Sequence, residues 1–526
     1  MPAFDYAHYP YEPAPEERGE RPRHAVCIVG AGPVGLTLAL DLASRGVASV
    51  VLKDGDTVSE GSRAICWSER TLDILDRFGV AGPMCEMGFT WSQGRVYFGE
   101  REVYHFDLQP EGGRKHPAFV NLQQYHAETL MIATAAKQRL IDLRWQHKAL
   151  GTRQDNAGAV VEVQTPAGTY ALAADWVIAC DGARSIVRRS LGLDFAGRVF
   201  VDQFLIADVD VGGEVPAAER RFWFDPPFHN GPTALMHKQG EGMWRVDFQI
   251  GPDADAALER QPARVEARCK AMLGDRPITV RWASVYTFQA RKLARFRHGR
   301  VLFAGDAAHQ VSPFGARGGN AGVQDADNLG WKLAYVIQGR AGERLLDSYD
   351  AERGYANDEH IRITSRTTNF IAPQGPVART FRDAVLQLAR DHPFARALVN
   401  SGRLSTATVH ADSALSTMDE AWIGGVAEGA AVPNLAFDGG YLLDKLQGDF
   451  AGFWGLNFAT QPLPPFAEPP APLRILMLEP HGPLAAAFAA TPGTFYLLRP
   501  DQHVAARWRQ PTPALISAAM TRALGA

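Results

Sequence analysis

Three glycines spaced as Gly30-x-Gly32-x-x-Gly35 stand where a short apolar run, AVCIV, gives way to the Ala/Leu-rich stretch PVGLTLALDLAS. In such a turn the first glycine permits a tight bend, the second lets backbone approach a pyrophosphate, and the third lets helix pack on strand. The helix that follows points free N–H groups and a positive dipole end at the same spot. Gly30, Gly32, Pro33 and Gly35 are therefore candidates for holding a dinucleotide. A glycine-rich packing turn is the plainer alternative, which the apolar runs on both sides disfavour. A carboxylate for the ribose hydroxyls belongs roughly 20 positions on, but that strand ends at Lys53, followed by Asp54. An ammonium donates and cannot accept, so either Asp54 takes the ribose or other contacts do; a lysine also suits a 2′-phosphate.

The elements that must position these groups follow from composition and pattern. At 526 residues, 46% hydrophobic and 21% charged, the chain has material for about three or four folding units. The balance of 54 basic and 58 acidic residues leaves a net charge of −4 without long runs of one sign, which argues against nucleic acid or an anionic membrane surface as partner. Cys27, Cys66, Cys85, Cys180 and Cys269 are scattered without a CxxC pair, so neither a metal site nor dithiol chemistry is expected. No apolar stretch approaches the roughly 18 residues of a membrane span, and the opening lacks a secretion signal. The expectation is a cytoplasmic protein with a loose, Pro-rich leader over 1–24.

An α/β pattern runs over 25–200 and ends in ADWVIACDGARSIVRRSLG. Over 201–290, segments such as FLIADVDV, MWRVDFQI and TVRWASVYTF alternate apolar and polar residues, as antiparallel strands with one wet face do. The α/β pattern resumes over 291–382 with GRVLFAGDAAH and long helical stretches, a polar helical connector is expected over 383–417, and a further α/β region occupies 418–526. The fold class is thus α/β, with a Rossmann-type nucleotide-binding domain interrupted by an antiparallel-sheet domain.

Two further motifs, CDGARSIVR from Cys180 and GDAAHQVSPFGARGGNAGVQDADNLGWKL from Gly305, are more specific than the first. With them the chain resembles the FAD-dependent aromatic hydroxylases, the single-component group A flavoprotein monooxygenases, in the branch that includes 3-(3-hydroxyphenyl)propionate and phenol hydroxylases. The resemblance implies that Asp181, Gly182 and Arg184 meet both FAD and NADH or NADPH, and that Gly305 and Asp306 hold the ribityl chain and pyrophosphate. Asp306 follows a buried strand and a glycine, so its carboxylate can accept from a ribityl hydroxyl; a helix N-cap is its ordinary alternative. Gly318, Gly319 and Asn320 can bring backbone close to the isoalloxazine ring, with Pro313 over it. By the same resemblance Arg63 lies near the pyrophosphate and Gln124 contacts FAD, whereas a surface ion pair and a helix cap are the bland readings. His309 belongs to the hydrogen bonding of its turn.

The resemblance further implies hydride transfer from a transiently bound nicotinamide, since only one dinucleotide turn exists. A flavin C4a-hydroperoxide shielded from water would then deliver oxygen to an electron-rich ring. The aromatic substrate should lie between flavin and inserted sheet, where Trp223, Phe224, His237, Trp244, Arg245, Phe248, Gln249, Tyr286 and Phe288 are candidates. His237 or Tyr286 would assist phenol deprotonation, although a structural role is the more ordinary one for each. LRPDQHVAARW, from Leu498, resembles a thioredoxin-like tail. That tail holds no cysteine, which leaves it packing on the main body or on the second subunit of a homodimer. Two other readings share these motifs: a tailoring oxygenase acting on a polycyclic natural product, and a flavin-binding protein without turnover.

Overall fold

The computed structural model describes residues 5–61, 63–109, 112–212, 219–399, 404–418, 422–447, 452–465 and 469–526. The apolar run before the glycine turn forms the strand Arg23–Val29, buried because it sits inside a parallel sheet. Its neighbours are Ser49–Lys53 on one side and Gly168–Ala179 on the other; Ile141–Trp145 and Val301–Phe303 extend the parallel run outward. Gly32 caps the helix Pro33–Ser44 and Pro33 occupies its first turn, where a missing N–H costs nothing. The fold is mixed α/β with several sheets.

The inserted sheet is larger than the sequence pattern suggested. Its order places His309–Gln310 at one edge, then Ile278–Lys292, Ala196–Val211, Met243–Ile250, Thr233–Lys238 and Arg220–Phe224, and the hairpin Gln93–Phe98 with Arg101–Asp107 at the other. The hairpin joins by parallel pairing of Gln93–Phe98 with Arg220–Phe224, so the sheet is not confined to 201–290. A pairing across more than a hundred residues leaves no local signal, because register comes from the partner strand.

Two more expectations need correction. The leader is not loose over its described part: Tyr9 stacks on Trp145 with ring centroids 3.9 Å apart, and the Tyr6 hydroxyl accepts from the Gly61 N–H at 2.9 Å. Glu16 pairs with Arg144 and His24 at 2.9 and 2.8 Å. Aromatic area and paired charge outweigh the ordering entropy that its proline content alone leaves unopposed. The connector is helical only through Pro376–Asp391 and Pro393–Val399. Residues 404–418 carry no helix; there the Ser413 hydroxyl accepts from the Leu415 N–H at 3.2 Å, a local bond of the kind that competes with helix.

At the C-terminal end four strands run in the order Leu473–Leu478, Phe453–Phe458, Thr494–Leu498, Val504–Trp508, the first two parallel and the rest antiparallel. This sheet packs on the main body. Phe453, Phe495, Leu497 and Met520 close over Trp331 and Tyr335 of the helix Gly318–Ile337, and Arg499 reaches Glu352 at 2.5 Å. Among the described residues no helix is long and apolar enough to cross a membrane.

Candidate functional site

One cavity of about 940 Å³ runs from the glycine turn to the inserted sheet, a size that suits a cofactor-bearing pocket. At its first end the turn has the geometry its spacing demanded. Gly30 adopts φ +108°, and a Cβ there would run into the Cys180 carbonyl, while a Cβ on Gly35 would strike the Gly30 carbonyl. Gly32 differs: the nearest atom to its notional Cβ is Glu128 Oε1 at 3.9 Å. The tight contacts therefore build the turn, and the open one is a cradle facing the cavity.

Pro33, Lys53, Asp54, Arg63, Gln124, Asp181, Gly182, Arg184, Asp306, Pro313, Gly318, Gly319 and Asn320 join Gly30 and Gly32 on this wall. Gly35 and Gly305 stand behind it as packing positions. Lys53 Nζ bonds Asp54 Oδ1 at 2.8 Å, so the lysine at the strand end brings a carboxylate with it. Gln124 is taken up by protein, accepting from the Ala64 N–H at 3.1 Å and donating to Glu128 at 2.7 Å. The Asn320 side chain is also used internally, accepting from the Ser68 N–H at 2.9 Å and from the Thr71 hydroxyl at 2.7 Å; only its backbone is left for a ligand.

Two carboxylates keep oxygens that no described residue bonds, one buried and one open to the cavity. Asp181 Oδ2 accepts from the Ile186 N–H at 2.7 Å and caps a short helix, but its Oδ1 is buried without a partner. Asp306 lines the cavity without a hydrogen-bond partner among the described residues, and the protein around it raises its pKa, the carboxyl losing more from desolvation than it gains from His309, Arg63 and Arg188. Arg63, Arg184 and Arg189 share the same wall, with no described carboxylate in ion-pair reach. Orphaned acceptors for hydroxyls, unpaired guanidinium groups and an open glycine cradle fit a sugar-bearing pyrophosphate, and the residues present therefore fit FAD.

The turn at Gly305 is held from behind by Asp325, which sequence reasoning missed. Asp325 Oδ2 accepts from the Gly305 N–H at 3.0 Å and from His309 Nε2 at 2.5 Å, while Oδ1 accepts from Arg353 Nε at 2.7 Å. Burial alone would raise this carboxyl; His309 and Arg353 hold it down at about 2. His309 is wholly buried in that contact.

The other end of the cavity is the face of the inserted sheet. Along Met243–Ile250, Trp244, Val246, Phe248 and Ile250 face a core, and Arg245 and Asp247 face the cavity. Of the expected positions His237, Arg245 and Phe288 line it. Trp223, Phe224, Trp244, Phe248, Gln249 and Tyr286 do not; Tyr286 packs beside Trp282, with ring centroids 6.4 Å apart. Phe204, Ile206, Arg220, Leu235, Asp247 and Phe314 complete the wall. His237 is 4% exposed with both ring nitrogens unbonded. Burial, then Arg220 and Arg245, hold its pKa well below the usual imidazole range. Alternation on the 243–250 strand signalled Asp247, but nothing local signalled Arg220.

The FAD binding domain family matches residues 23–362 of this chain. A para-nitrophenol 4-monooxygenase of Pseudomonas sp. (strain WBC-3) is 31% identical over 69% of this chain and 91% of its own length. A 3-(3-hydroxy-phenyl)propionate/3-hydroxycinnamic acid hydroxylase of Mycolicibacterium smegmatis is 29% identical over 69% of this chain, and the match spans 64% of that relative's length. The solved structure of the flavin-dependent monooxygenase PieE, with FAD and substrate, shares the fold across 96% of this chain and 99% of its own, at 22% identity and a TM-score of 0.81. The chain belongs to the FAD binding domain family and groups there with flavin-dependent hydroxylases and monooxygenases.

Proposed function

We propose that the protein is an FAD-dependent monooxygenase that hydroxylates a phenolic or related aromatic ring, consuming molecular oxygen and NADH or NADPH. The observation that carries this reading is a cavity lined both by the pyrophosphate cradle and by Phe204, Phe288 and Phe314. Bound there, FAD reduced by the nicotinamide would supply activated oxygen to the ring beside it. The chain's own residues do the rest. Gly30 and Gly32 admit the pyrophosphate, Arg63 and Arg184 offset its charge, and Asp181 and Asp306 accept from sugar and ribityl hydroxyls. Pro313, Gly318, Gly319 and the Asn320 backbone border the ring system. The phenylalanines exclude water, which protects a reactive oxygen donor from wasteful breakdown.

The nicotinamide has no second dinucleotide turn in this chain, so in our reading it binds transiently at the same cavity, near Arg184. The domain assignment we favour is a Rossmann-type domain split by the inserted sheet, followed by a thioredoxin-like domain over 418–526. Its strand order, with a parallel pair beside an antiparallel pair, supports that assignment. A cytoplasmic location suits a reaction fed by NADH or NADPH. The test is a panel of phenols scored by NADH consumption and product mass. A yellow protein whose NADH oxidation accelerates with a phenol and yields a ring with one more oxygen supports the proposal. Acceleration only by large polycyclic substrates supports the tailoring alternative, and no effector at all defeats both.

A further inference from the structure

The polar groups at the sheet end form an ordered row. Register sets Asp208 opposite Arg245 and Arg245 opposite His237, and the pairing of Arg221 with Met236 carries Arg220 to the level of His237. Cross-strand neighbours share a face, so Arg220, His237, Arg245 and Asp208 follow one another across four strands, and Asp247 lies two residues along from Arg245 on that face. Arg245 is neutralised by Asp208 at 2.9 Å. Arg220 has no ion pair among the described residues and lies over the Trp91 ring at 5.6 Å. Asp247 lines the cavity with its Oδ1 buried and unpartnered. The other groups that act on it are Arg245, Arg220 and Asp208, with the Cys66 thiol, itself pushed up to about 11 by burial, also on the wall.

We propose that Asp247 takes up the acidic proton of the bound ring substrate, that the Arg220 guanidinium holds the resulting oxyanion, and that neutral His237 hydrogen-bonds between them. This rests on the aromatic hydroxylase reading and names its substrate class: rings bearing an ionisable hydroxyl. The substrate O–H bond breaks, its electron pair stays on oxygen, and the proton forms a bond to a carboxylate oxygen of Asp247. One negative charge thus moves from the carboxylate to the ring oxygen, and no oxidant or reductant is needed. The deprotonated ring is the better nucleophile toward an oxygen donor. His237 is the nearer-looking base by residue type, but burial and two guanidinium groups keep it from holding a proton. Asp247, which burial pushes up to about 6 against the opposing pull of Arg245 and Arg220, is more basic than an ordinary carboxylate, and the Arg220 charge beside the ring oxygen makes its proton easier to lose.

The experiment uses the holoenzyme with p-nitrophenol, whose phenolate is coloured, alongside whichever phenol of the panel drives NADH oxidation. In the wild type, kcat should fall as pH drops through about 6, and bound p-nitrophenol should carry more phenolate than the free compound at that pH. Asp247→Asn, retaining its flavin spectrum, should lower kcat by roughly a hundredfold, erase the acid limb and remove the phenolate excess; Asp247→Glu should restore the limb. If Asp247→Asn loses flavin, Arg220→Gln carries the test, with loss of the phenolate excess expected. Unchanged kcat and acid limb in Asp247→Asn, or an unchanged phenolate excess in Arg220→Gln, would overturn the assignment while leaving the hydroxylase reading standing. A wild type that responds to no phenol sinks both together.

Discussion

At the glycine-turn end of the cavity the chain presents backbone, open space and unpaired charge, whereas at the sheet end it presents side chains drawn from separate strands. The first end is assembled from three short motifs whose residues lie next to one another in sequence: Gly30 to Gly35, Cys180 to Arg188, and Gly305 to Asn320. The second is assembled by pairing, with Phe204, Arg220, His237, Asp247 and Phe288 each on a different strand. Under the proposed function, cofactor binding would depend on local geometry and choice of substrate on long-range register. Substitutions at one end should change one property and spare the other.

The largest separation is expected from Asp306→Ala. Its carboxylate has no hydrogen-bond partner among the described residues, so apo stability should hold while FAD affinity falls by roughly tenfold to a hundredfold, the worth of a hydrogen bond to a charged group. Flavin retained through desalting, read from the visible spectrum, checks this, and normal flavin content would break the comparison. A paired test follows from the glycines. Gly32→Ala places a methyl in the open cradle and should weaken FAD binding by about tenfold without shifting the melting temperature of the flavin-free protein. Gly35→Ala forces a methyl onto the Gly30 carbonyl, and overpacking of that kind costs about 1–3 kcal/mol, visible as a lowered melting temperature with or without flavin. Equal melting temperatures for the two variants would show that the turn is not built as described.

At the sheet end, His237→Asn should raise the KM for a phenol several-fold, in keeping with loss of a hydrogen bond worth about 1 kcal/mol, and leave flavin content untouched; flavin loss would mean that the two ends are coupled. The smallest effect belongs to Lys53→Glu. Its ammonium already pairs with Asp54, and a carboxylate at the strand end suits ribose hydroxyls, so FAD affinity should hold or rise. A large loss, measured by flavin fluorescence titration, would give Lys53 a contact of its own.

The same contrast explains what the sequence made legible. The glycine turn could be read because φ and close approach are properties of a few consecutive residues, and the alternation along 243–250 is enough to put Trp244 and Phe248 on one face and Arg245 and Asp247 on the other. It could not say which set met a ligand. Arg220 and the hairpin at 93–107 were invisible because their neighbours are supplied by strands far away in sequence. Asp325 stood within a recognised motif, yet its job, bonding the Gly305 N–H and His309, depends on how a helix docks behind a turn. The order of the leader is not legible in its prolines, because Tyr6 and Tyr9 find their partners, Gly61 and Trp145, only in the folded chain.

Glu352 lies beneath the helix that begins at Gly318, receiving Lys332 at 2.7 Å from that helix and Arg499 at 2.5 Å from the C-terminal sheet. A premature stop or a protease nick ahead of the last four strands would strip away the arginine and leave Trp331 and Tyr335 of the same helix facing water. A dry carboxylate deprived of one of its cations is costly, and its discomfort would be felt at Gly318 to Asn320 on the cavity wall. The distal fifth of this polypeptide is in that sense a foundation of the candidate site, although none of its described residues stands on the cavity wall.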